Sequence, residues 1–541
     1  MSLDRTQLRW NGWGWAARKD DLAGREDVWA RVAAELGMPA LLATPPRPLE
    51  ELDLPAAKLT SQDRVSLSGI AGADQLRDSA FERAFHARGR GTADLLALRS
   101  GDLSTAPDAV VYPRGSEEVL EILKAAAHRS IAVVPFGGGT GTVGGVTPVR
   151  GSFDAVITID LSEMDRVIAI DPISATVTAE AGLTAAALEK ALRTKGFTLG
   201  PVANEFATLG GLIAQNASDA RDWLIGAKVA TPRGFLEITP QPTSDGLKDL
   251  IAGSEGAFGI ITEVTVRLAR APAASDWRGY LFRDLTGGMA ALRTAAQDGC
   301  GDAVLCLSDA EETRILRALA DLDTPPGAMA RLKSRVVRLR GFADKPCLVI
   351  AGFEGEAATY LRRRFATIAG KYGALDIGHR AGEQWRQSRF KPPYLRDSLL
   401  DHGAAMDTIE TAASWSLLPA VYGALQGALE TAIRETAPRQ GAHGIVMGHV
   451  SHAKPDGAGL AFTYVYPRAI GGDLEQCRRI KTAGVEAALA SGGALSPRHG
   501  IGLDHLPFQA RAKGKIGLDI LRDVKISLDP DGILNPGKCA S

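Results

Sequence analysis

Residues 131–142 read IAVVPFGGGTGT, an apolar strand pattern that runs directly into a loop with four glycines. Glycine has no Cβ, so successive glycines leave the backbone N–H groups of a loop open to a ligand such as a diphosphate. Thr140 and Thr142 add hydroxyl donors to the same loop. The segment matches neither G-x-G-x-x-G at the start of a helix nor G-x-x-x-x-G-K-[ST]. It predicts a diphosphate site outside those two classes, with a flexible loop as the alternative.

Two later segments combine glycine with small or polar residues in a similar way. Residues 208–218 read TLGGLIAQNAS, and residues 253–263 read GSEGAFGIITE, a glycine-spaced turn that runs into a strand. We name residues 135–142, 208–218 and 253–263 the first, second and third glycine loops. One such loop is weak evidence, but three that are separated by strands and helices suit an extended ligand such as a dinucleotide.

The strands and helices around these loops predict an α+β fold. Residues 106–269 alternate short apolar strands with helical patterns, and residues 270–480 have strands and helices of their own. Residues 1–105 are rich in charge, Ala and Leu and mostly indicate short helices. Residues 481–541 hold a helix, a Gly/His turn and a final helical segment. We therefore expect four consecutive parts.

Composition excludes several classes of protein. The 541 residues are 45% apolar and 23% charged, as in an ordinary globular protein. Lys and Arg total 62 against 63 Asp and Glu, so nothing favours a nucleic-acid partner. No apolar run is long enough for a membrane span, and the five scattered cysteines form no C-x-x-C pair. We expect reduced thiols and a cytoplasmic location.

The residues of these motifs carry a resemblance to a known family. The three glycine loops, in this order and spacing, resemble the FAD-binding domain of the vanillyl-alcohol oxidase / p-cresol methylhydroxylase superfamily. GALSPRHGIGLDHLPF at 493–508 and SLDPDGILNPGK at 527–538 resemble the end of the same flavoproteins. More closely, the chain is similar to alkyldihydroxyacetonephosphate synthase (alkylglycerone-phosphate synthase) and its bacterial relatives, through RWNGWGW at 9–15 and HVSHAKPDGAGLAFTY at 449–464 among other segments.

The resemblance implies a two-subdomain FAD-binding domain of the vanillyl-alcohol oxidase type with an α+β substrate cap domain. The four parts become an N-terminal helical extension (1–105), the FAD-binding domain (106–269), the substrate-binding cap domain (270–480) and a C-terminal segment (481–541) that returns to the flavin site. Non-covalent FAD is expected, because the family's His or Cys linkage positions are not evident. The residues implied to line FAD are Pro135, Phe136, Gly137, Gly138, Gly139, Thr140, Gly141, Thr208, Gly210, Gly211, Gln215, Asn216, Ala217, Ser218, Glu255, Gly256, Gly259, Ile260 and Ile261.

The resemblance also implies an activity. In the synthase, which serves ether lipid biosynthesis, an acyl-dihydroxyacetone phosphate forms an adduct with flavin N5, the fatty acid leaves, and a fatty alcohol replaces it without net redox change. Relatives that share the fold pass a hydride from hydroxy acids or phenols to the same N5. The first interpretation is therefore a synthase-like transferase, and the alternative is an FAD-linked oxidase or dehydrogenase of a hydroxy acid or alcohol. A third is a catalytically degenerate homologue with a binding role.

The implied substrate is a small or lipid-like molecule, with at most peripheral membrane contact, and the resemblance allows a homodimer. His499 and Arg498 are candidate catalytic residues. An imidazole beside Gly500 in a glycine turn can reach a ligand and move a proton, whereas the alternative is a surface-turn histidine. Arg498 can bind a carboxylate or phosphate, or it can simply lie exposed.

Thr463 is a further catalytic candidate, because it falls where the family has its catalytic tyrosine; Tyr464 and Tyr466 are expected to point to the opposite face of the strand. Two more residues are candidate substrate ligands. Arg396 can anchor an anion, with a structural salt bridge to the adjacent aspartate as the alternative. His449 falls on the family's phosphate-binding arginine. The H-x-x-H that begins at His449 lies in a strand pattern, so we expect no metal site.

The chain also departs from the family. Pro497-Arg498-His499 replaces a run of three histidines, Cys306 replaces an arginine, the family's acidic residue falls near Val202, and the 216–226 loop is shorter, with Asn216 in place of an arginine. These changes favour the degenerate interpretation. The intact glycine loops favour an enzyme. A protein that no longer binds flavin is expected to lose some of these glycines, because nothing else strongly requires them.

Three further features are expected to be structural. Lys538 is expected to close the last helix, and Cys306 is expected to be a buried, inert thiol. The tryptophans of RWNGWGW are expected to pack the N-terminal segment rather than to bind a ligand.

Overall fold

The computed structural model describes residues 4–18, 22–200, 204–217, 220–240, 246–301, 303–323, 340–342, 345–388 and 391–538. The chain forms two compact units. The first unit contains residues 1–21, 45–271 and 496–541, and the second contains residues 22–44 and 272–495. Each unit mixes helices with sheets, which confirms the predicted α+β class.

The helices follow the periodic segments of the sequence. In chain order they are α1 (Glu26–Glu35), α2 (Ser61–Ala71), α3 (Ala80–Phe85), α4 (Thr92–Ser100), α5 (Ser116–His128), α6 (Ala185–Arg193), α7 (Leu209–Ala214), α8 (Ala220–Trp223), α9 (Leu247–Ile251), α10 (Leu285–Gln297), α11 (Ala310–Asp323), α12 (Ala358–Lys371), α13 (His379–Ser388), α14 (Pro392–Asp401), α15 (Leu418–Thr436), α16 (Asp473–Ala490) and α17 (Gln509–Leu528).

The strands of the described residues belong to four sheets. In chain order they are β1 (Leu76–Arg77), β2 (Ala109–Val111), β3 (Ile131–Phe136), β4 (Ala155–Asp160), β5 (Val167–Asp171), β6 (Thr176–Glu180), β7 (Phe197–Thr198), β8 (Leu224–Thr231), β9 (Gly234–Ile238), β10 (Ile260–Arg267), β11 (Ala269–Arg270), β12 (Ser275–Phe282), β13 (Val304–Ser308), β14 (Cys347–Glu354), β15 (Leu375–Gly378), β16 (Ala404–Ser414), β17 (Ile445–Ser451) and β18 (Gly457–Pro467).

The first glycine loop leaves a buried sheet in the first unit. This sheet has the order β1-β2-β4-β3, and β4 pairs in parallel with both β2 and β3. Parallel strands are covered on both faces, so their sequences are continuous apolar runs, as in IAVVPF. Val133 and Ile157 pair in this register and are fully buried. The glycines therefore begin where a rigid, buried strand ends.

A second sheet supports the other two glycine loops. Its order is β5-β6-β10-β8-β9, and all its pairs are antiparallel. The third glycine loop leads directly into β10, as the sequence GIITEVTVRLAR indicates. The second glycine loop forms α7, whose first turn is capped by the Thr208 hydroxyl, which accepts a hydrogen bond from the Gly211 N–H at 3.3 Å.

The C-terminal residues join the first sheet. The Val133 N–H donates to the Ile533 carbonyl at 2.8 Å, and the Asn535 N–H donates to the Val133 carbonyl at 2.8 Å. Residues 533–535 therefore lie beside β3, the strand from which the first glycine loop leaves. This pairing anchors the end of the chain within the first unit.

The second unit is built on one large antiparallel sheet. Its order is β15-β12-β14-β13-β17-β18-β16. The first helix of the chain, α1, belongs to this unit, where Trp29 stacks on His402 with ring centroids 3.7 Å apart.

One observed unit boundary, 271/272, lies beside the predicted 269/270. Another, 495/496, lies beyond the predicted 480/481. The latter prediction falls inside α16, whose helical pattern continues to residue 490. The residues of the predicted N-terminal extension, 1–105, are divided between the two units, with 22–44 in the second and the others in the first.

Candidate functional site

The first and second glycine loops pack closely against each other. A Cβ on Gly137 would overlap the Thr208 hydroxyl, and one on Gly138 would overlap the Phe206 carbonyl oxygen. A Cβ on Gly141 would overlap the Gln215 side-chain nitrogen. The packing of the loops thus requires glycine at these positions even without a ligand. This corrects our expectation that only a bound flavin would strongly require these glycines. The approach of the second loop requires the absence of side chains at these positions.

The third glycine loop closes on the other two. The Gly253 N–H donates to the Ile213 carbonyl at 3.0 Å, and the Glu255 N–H donates to the Ala214 carbonyl at 2.9 Å. Gly256 has φ +77°, and a Cβ there would overlap the Pro135 ring. The three loops that the sequence singled out therefore meet in one place. Their residues contact one another within the first unit.

Residues 496–502, which we name the C-terminal turn, pack on the same loops. The Asn216 side-chain amide donates to the Pro497 carbonyl at 3.3 Å. The Glu255 carboxylate accepts hydrogen bonds from the N–H groups of Ile501, at 3.1 Å, and Gly502, at 2.7 Å. His499 lies between these two anchor points and is half-buried. The turn that carries the candidate histidine is therefore held from both ends by predicted cofactor residues.

Arg498, the neighbour of His499, is buried, with 7% of its surface exposed. The alternative of an exposed surface arginine is therefore wrong. Gly502, at the end of the turn, has φ +52°, and a Cβ there would overlap the Val143 carbonyl oxygen. The Leu503 N–H donates to the same carbonyl at 2.8 Å. The Gly-Ile-Gly sequence after His499 thus lets the turn approach the chain just beyond the first glycine loop.

Among the acidic residues of the three glycine loops and the C-terminal turn, Glu255 has the most strongly shifted pKa. Burial raises the pKa of its carboxyl to about 7, although the Gly502 and Ile501 N–H groups and the charge of Lys538 favour the ionised form. Burial also lowers the pKa of Lys538 to about 8, against the attraction of Glu255. The Lys538 ammonium donates to the Thr147 carbonyl at 2.8 Å. Lys538 therefore has a structural contact, but it does not close the last helix as predicted, because α17 ends at Leu528.

Several buried polar atoms of these loops suit a polar ligand. The Ser254 hydroxyl, one Glu255 carboxylate oxygen and the Ser496 hydroxyl make no hydrogen bond to any described residue. Buried polar groups are normally satisfied, so such atoms mark a place where a polar molecule can bind. They lie in the third glycine loop and the C-terminal turn. The residues present therefore fit an extended polar cofactor such as FAD.

The remaining site predictions fall in the second unit. Thr463 lies on β18 opposite Thr408 of β16, and the two hydroxyl oxygens are 3.3 Å apart. Tyr464 and Tyr466 are fully buried, and the Tyr464 hydroxyl donates to Asp407 at 3.4 Å. The tyrosines thus occupy the opposite face of the strand from Thr463, as predicted. Neither can replace it.

His449 forms an ion pair that the sequence did not predict. It lies on β17, and its Nδ1 is 3.3 Å from a carboxylate oxygen of Glu312. Burial lowers the pKa of His449, but Glu312, Glu410 and Asp309 outweigh burial and raise it. Protonation of this imidazole is therefore favoured relative to an ordinary histidine, at a position where the family resemblance places an arginine.

A local signal could have found Glu312. The Asp309 carboxylate accepts a hydrogen bond from the Glu312 N–H at 2.7 Å, at the start of α11. An aspartate followed three residues later by a glutamate is a helix-start pattern, and that pattern places Glu312 in the first turn, beside the end of β13. Ser308, the last residue of β13, is the register partner of His449.

The structure also locates the other candidates. Arg396 lies on α14 and is buried, as is the neighbouring Asp397. Cys306 is half-buried rather than fully buried as predicted, and desolvation and Glu312 raise the pKa of its thiol, in agreement with the predicted inert character. His452 lies just beyond β17 at φ +51°, rather than within the strand. Ser218 and Val202 lie outside the described residues.

The described part of the chain contains no helix that is long and apolar enough to span a membrane. Within the same residues, no three His, Cys, Asp or Glu side chains are grouped so that they could hold a metal ion.

Comparison with known proteins identifies the family. The family model described as "FAD binding domain" matches residues 107–239, and "FAD linked oxidases, C-terminal domain" matches residues 271–539. Alkyldihydroxyacetonephosphate synthase of Trypanosoma brucei brucei is 30% identical over 575 residues, which cover 98% of this chain and 92% of that protein. The chain belongs to this family. The predicted membership is confirmed, and the protein is an FAD-dependent enzyme.

Solved structures agree with this assignment. A structure of alkyldihydroxyacetonephosphate synthase superposes with a TM-score of 0.83 at 27% identity, over 99% of this chain and all of that one. A structure of p-cresol methylhydroxylase shares the fold at a TM-score of 0.68 and 14% identity, over 90% and 99% of the two chains. The predicted fold type is therefore confirmed.

Oxidoreductases are also relatives. The mitochondrial D-lactate dehydrogenase [cytochrome] 1 of Saccharomyces cerevisiae is 26% identical, over 80% of this chain and 72% of that protein.

Proposed function

We propose that the protein is an alkyldihydroxyacetonephosphate synthase-like transferase with a divergent active site. It would exchange the acyl group of an acyl-dihydroxyacetone phosphate, or of a related ketone, for the alkyl group of a long-chain alcohol. The observation that carries this proposal is the C-terminal turn, which is attached through Asn216 and Glu255 to the second and third glycine loops. This attachment puts His499, a group that can move protons, beside the proposed cofactor residues.

The three glycine loops would hold FAD. When bound, FAD supplies the electron-deficient ring system on which such chemistry depends. The diphosphate would lie against the first glycine loop, and the unsatisfied polar atoms of Ser254 and Ser496 would be available to other polar parts of the cofactor. We propose non-covalent attachment, because the three loops contain no histidine and no cysteine that could form a link.

His499 would move the protons of the exchange. The entering alcohol loses its hydroxyl proton and the leaving carboxylate can take one up, and a single imidazole can serve both steps. Its neighbour Arg498 would bind an anionic group of the substrate, because a guanidinium matches a carboxylate or phosphate with two parallel hydrogen bonds. The buried position of Arg498 favours such a specific contact over a solvent-exposed one.

The remaining candidate residues belong to the second unit. His449, whose pKa Glu312 raises, would replace an arginine of the family as a ligand for the substrate anion, together with Arg396. Thr463 would take the position of the catalytic tyrosine, where a hydroxyl can hold a hydrogen bond but not donate a proton as readily. Cys306 and Asn216, each in place of an arginine of the family, make the proposed site less cationic than that of the family.

This loss of positive charge favours a second candidate function. An FAD-linked oxidase or dehydrogenase of a hydroxy acid or alcohol would need fewer cationic ligands than an enzyme that binds a phosphate ester. The similarity to a D-lactate dehydrogenase supports the same alternative. In that case His499 would remove the hydroxyl proton of the substrate.

One assay separates the two functions. The FAD-loaded protein is incubated anaerobically with palmitoyl-dihydroxyacetone phosphate and hexadecanol, without any electron acceptor. Release of palmitate that depends on hexadecanol, with the alkyl product detected by mass spectrometry, supports the exchange. Protein stripped of FAD is the control. No release, together with acceptor-dependent oxidation of a hydroxy acid, would instead establish the oxidoreductase.

A further inference from the structure

A buried ion pair lies behind the first glycine loop. Arg5 is 3% exposed and Asp160, at the end of β4, is fully buried. The guanidinium Nε and Nη2 donate to the two carboxylate oxygens of Asp160 at 3.0 and 3.1 Å. His86 Nε2 lies 2.9 Å from the same carboxylate. Burial raises the pKa of Asp160, but Arg5 and His86 outweigh it and hold that pKa well below its usual range.

Arg5 also reaches the glycine loop itself. Its Nη2 donates a second hydrogen bond, to the carbonyl oxygen of Gly137. In a trans peptide the C=O and the following N–H point in opposite directions, so the Gly138 N–H is directed away from Arg5. None of the hydrogen bonds between described residues uses this N–H. No described residue therefore occupies this N–H, which can donate to a ligand on the side of the loop away from Arg5.

Other residues near the N-terminus pack on the same loops. The rings of Trp13 and Trp15 contact Phe206 with centroids 5.8 and 5.6 Å apart, which confirms the predicted packing role of these tryptophans. The Phe206 carbonyl is the group that approaches Gly138. The Arg90 N–H donates to the Gly141 carbonyl at 2.8 Å. The backbone of the first loop is thus held at both ends by residues that precede residue 106.

The ion pair is poorly explained by stability alone. A charge pair removed from water contributes little over an apolar pair of the same volume, because desolvation offsets the attraction. A guanidinium, however, presents donors in a fixed plane and can fix the direction of several acceptors at once. Arg5 uses this property to join Asp160 at the end of β4 to Gly137 after β3.

We propose that Arg5 is a positioning residue for the cofactor, which orients the Gly137–Gly138 peptide so that the Gly138 N–H donates to the diphosphate of FAD. This proposal rests on the proposed function, in that the first glycine loop must bind the diphosphate. Arg5 itself does not touch the cofactor; it acts through the peptide.

The variant Arg5→Lys tests this proposal. Lysine keeps a positive charge beside Asp160, but its ammonium group cannot reproduce the planar fork. We expect the melting temperature of the FAD-free protein to change little, the Kd for FAD to rise about 10-fold, which corresponds to the loss of one hydrogen bond, and the 31P resonances of the bound diphosphate to shift. The matched control is Arg64→Lys, in the partly exposed pair with Asp78 of the same unit, which should leave all three unchanged.

A double variant separates a loss of FAD affinity from a loss of folding. Arg5→Gln leaves the Asp160 carboxylate buried without its cation, whereas the double variant Arg5→Gln/Asp160→Asn removes both charges. The double variant is expected to fold and to lose FAD affinity by a similar factor. Wild-type Kd and 31P spectra in Arg5→Lys or in the double variant would overturn the inference alone. A wild-type protein that binds no FAD would overturn the proposed function, and this inference with it.

Discussion

Replacement of His499 by asparagine is expected to lower turnover about 100-fold or more while the protein keeps its FAD. Proton transfer by a positioned side chain increases the reaction rate about 10²–10⁴-fold. Asparagine cannot accept or release a proton near neutral pH. The backbone of the C-terminal turn is held by Glu255 and by Asn216 through main-chain atoms of Pro497, Ile501 and Gly502. Loss of the imidazole should therefore leave the turn in place.

The measurement is steady-state turnover, together with the visible spectrum of the bound flavin. His128→Asn is the matched control, since His128 is the exposed last residue of α5 in the same unit. The control should retain wild-type turnover, and His499→Asn should retain the wild-type flavin spectrum. Turnover of His499→Asn within threefold of wild type would show that His499 does not move the proton of the rate-limiting step.

Replacement of Glu255 by glutamine is expected to stabilise the FAD-free protein at pH 8 and to have little effect near pH 5. The pKa of Glu255 is raised from 4.5 to about 7 in the folded state. A proton on Glu255 therefore favours folding: this contribution is complete below the unfolded pKa and is lost as pH rises through 7. Between pH 5 and 8 the loss is about 3 kcal/mol, because roughly 1.4 kcal/mol is lost for each pH unit between pH 5 and the folded pKa of about 7.

Glutamine is neutral throughout this range and can still accept the hydrogen bonds of Ile501 and Gly502. The melting temperature of wild type should thus fall below that of Glu255→Gln as pH rises from 5 to 8. Glu121→Gln, which changes an exposed carboxylate on α5, is the control and should follow wild type. Parallel curves for wild type and Glu255→Gln would mean that Glu255 does not titrate between pH 5 and 8.

The sequence was informative wherever local composition determines the structure. The run IAVVPF is apolar throughout and precedes four glycines, and it forms β3 with the glycine loop at its end. The third glycine loop leads into β10 in the same way. Strand periodicity also placed Tyr464 and Tyr466 on the face opposite Thr463, because side chains alternate along a strand.

The contacts that hold the site together were not predictable in this way. Arg5 and Asp160 are 155 residues apart in the chain, and no local pattern connects them. Glu255 was assigned to the cofactor, yet its carboxylate binds the backbone of the C-terminal turn. Such pairings follow from the tertiary fold, which brings loops of different sheets together. A single sequence carries no direct record of them.

The glycines illustrate a related difficulty. Sequence reasoning explained them by the ligand, since a bare backbone can approach a diphosphate. The structure gives Gly137, Gly138 and Gly141 a second explanation, because atoms of the second loop and of Phe206, just before it, occupy the space of their Cβ atoms. Intact glycines are therefore weaker evidence for a bound flavin than we expected, and direct detection of the cofactor is needed.

The visible absorption spectrum of the purified protein, recorded before denaturation and again on the supernatant afterwards, tests the central claim most directly. The account predicts that the spectrum of the folded protein shows flavin bands. After denaturation these bands should appear entirely in the supernatant, because non-covalent FAD is released. A colourless protein that also takes up no added FAD would contradict the assignment of the three glycine loops to the cofactor and the proposed exchange reaction. The protein would then be a family member that keeps the fold, lacks the catalytic activity and has a binding role.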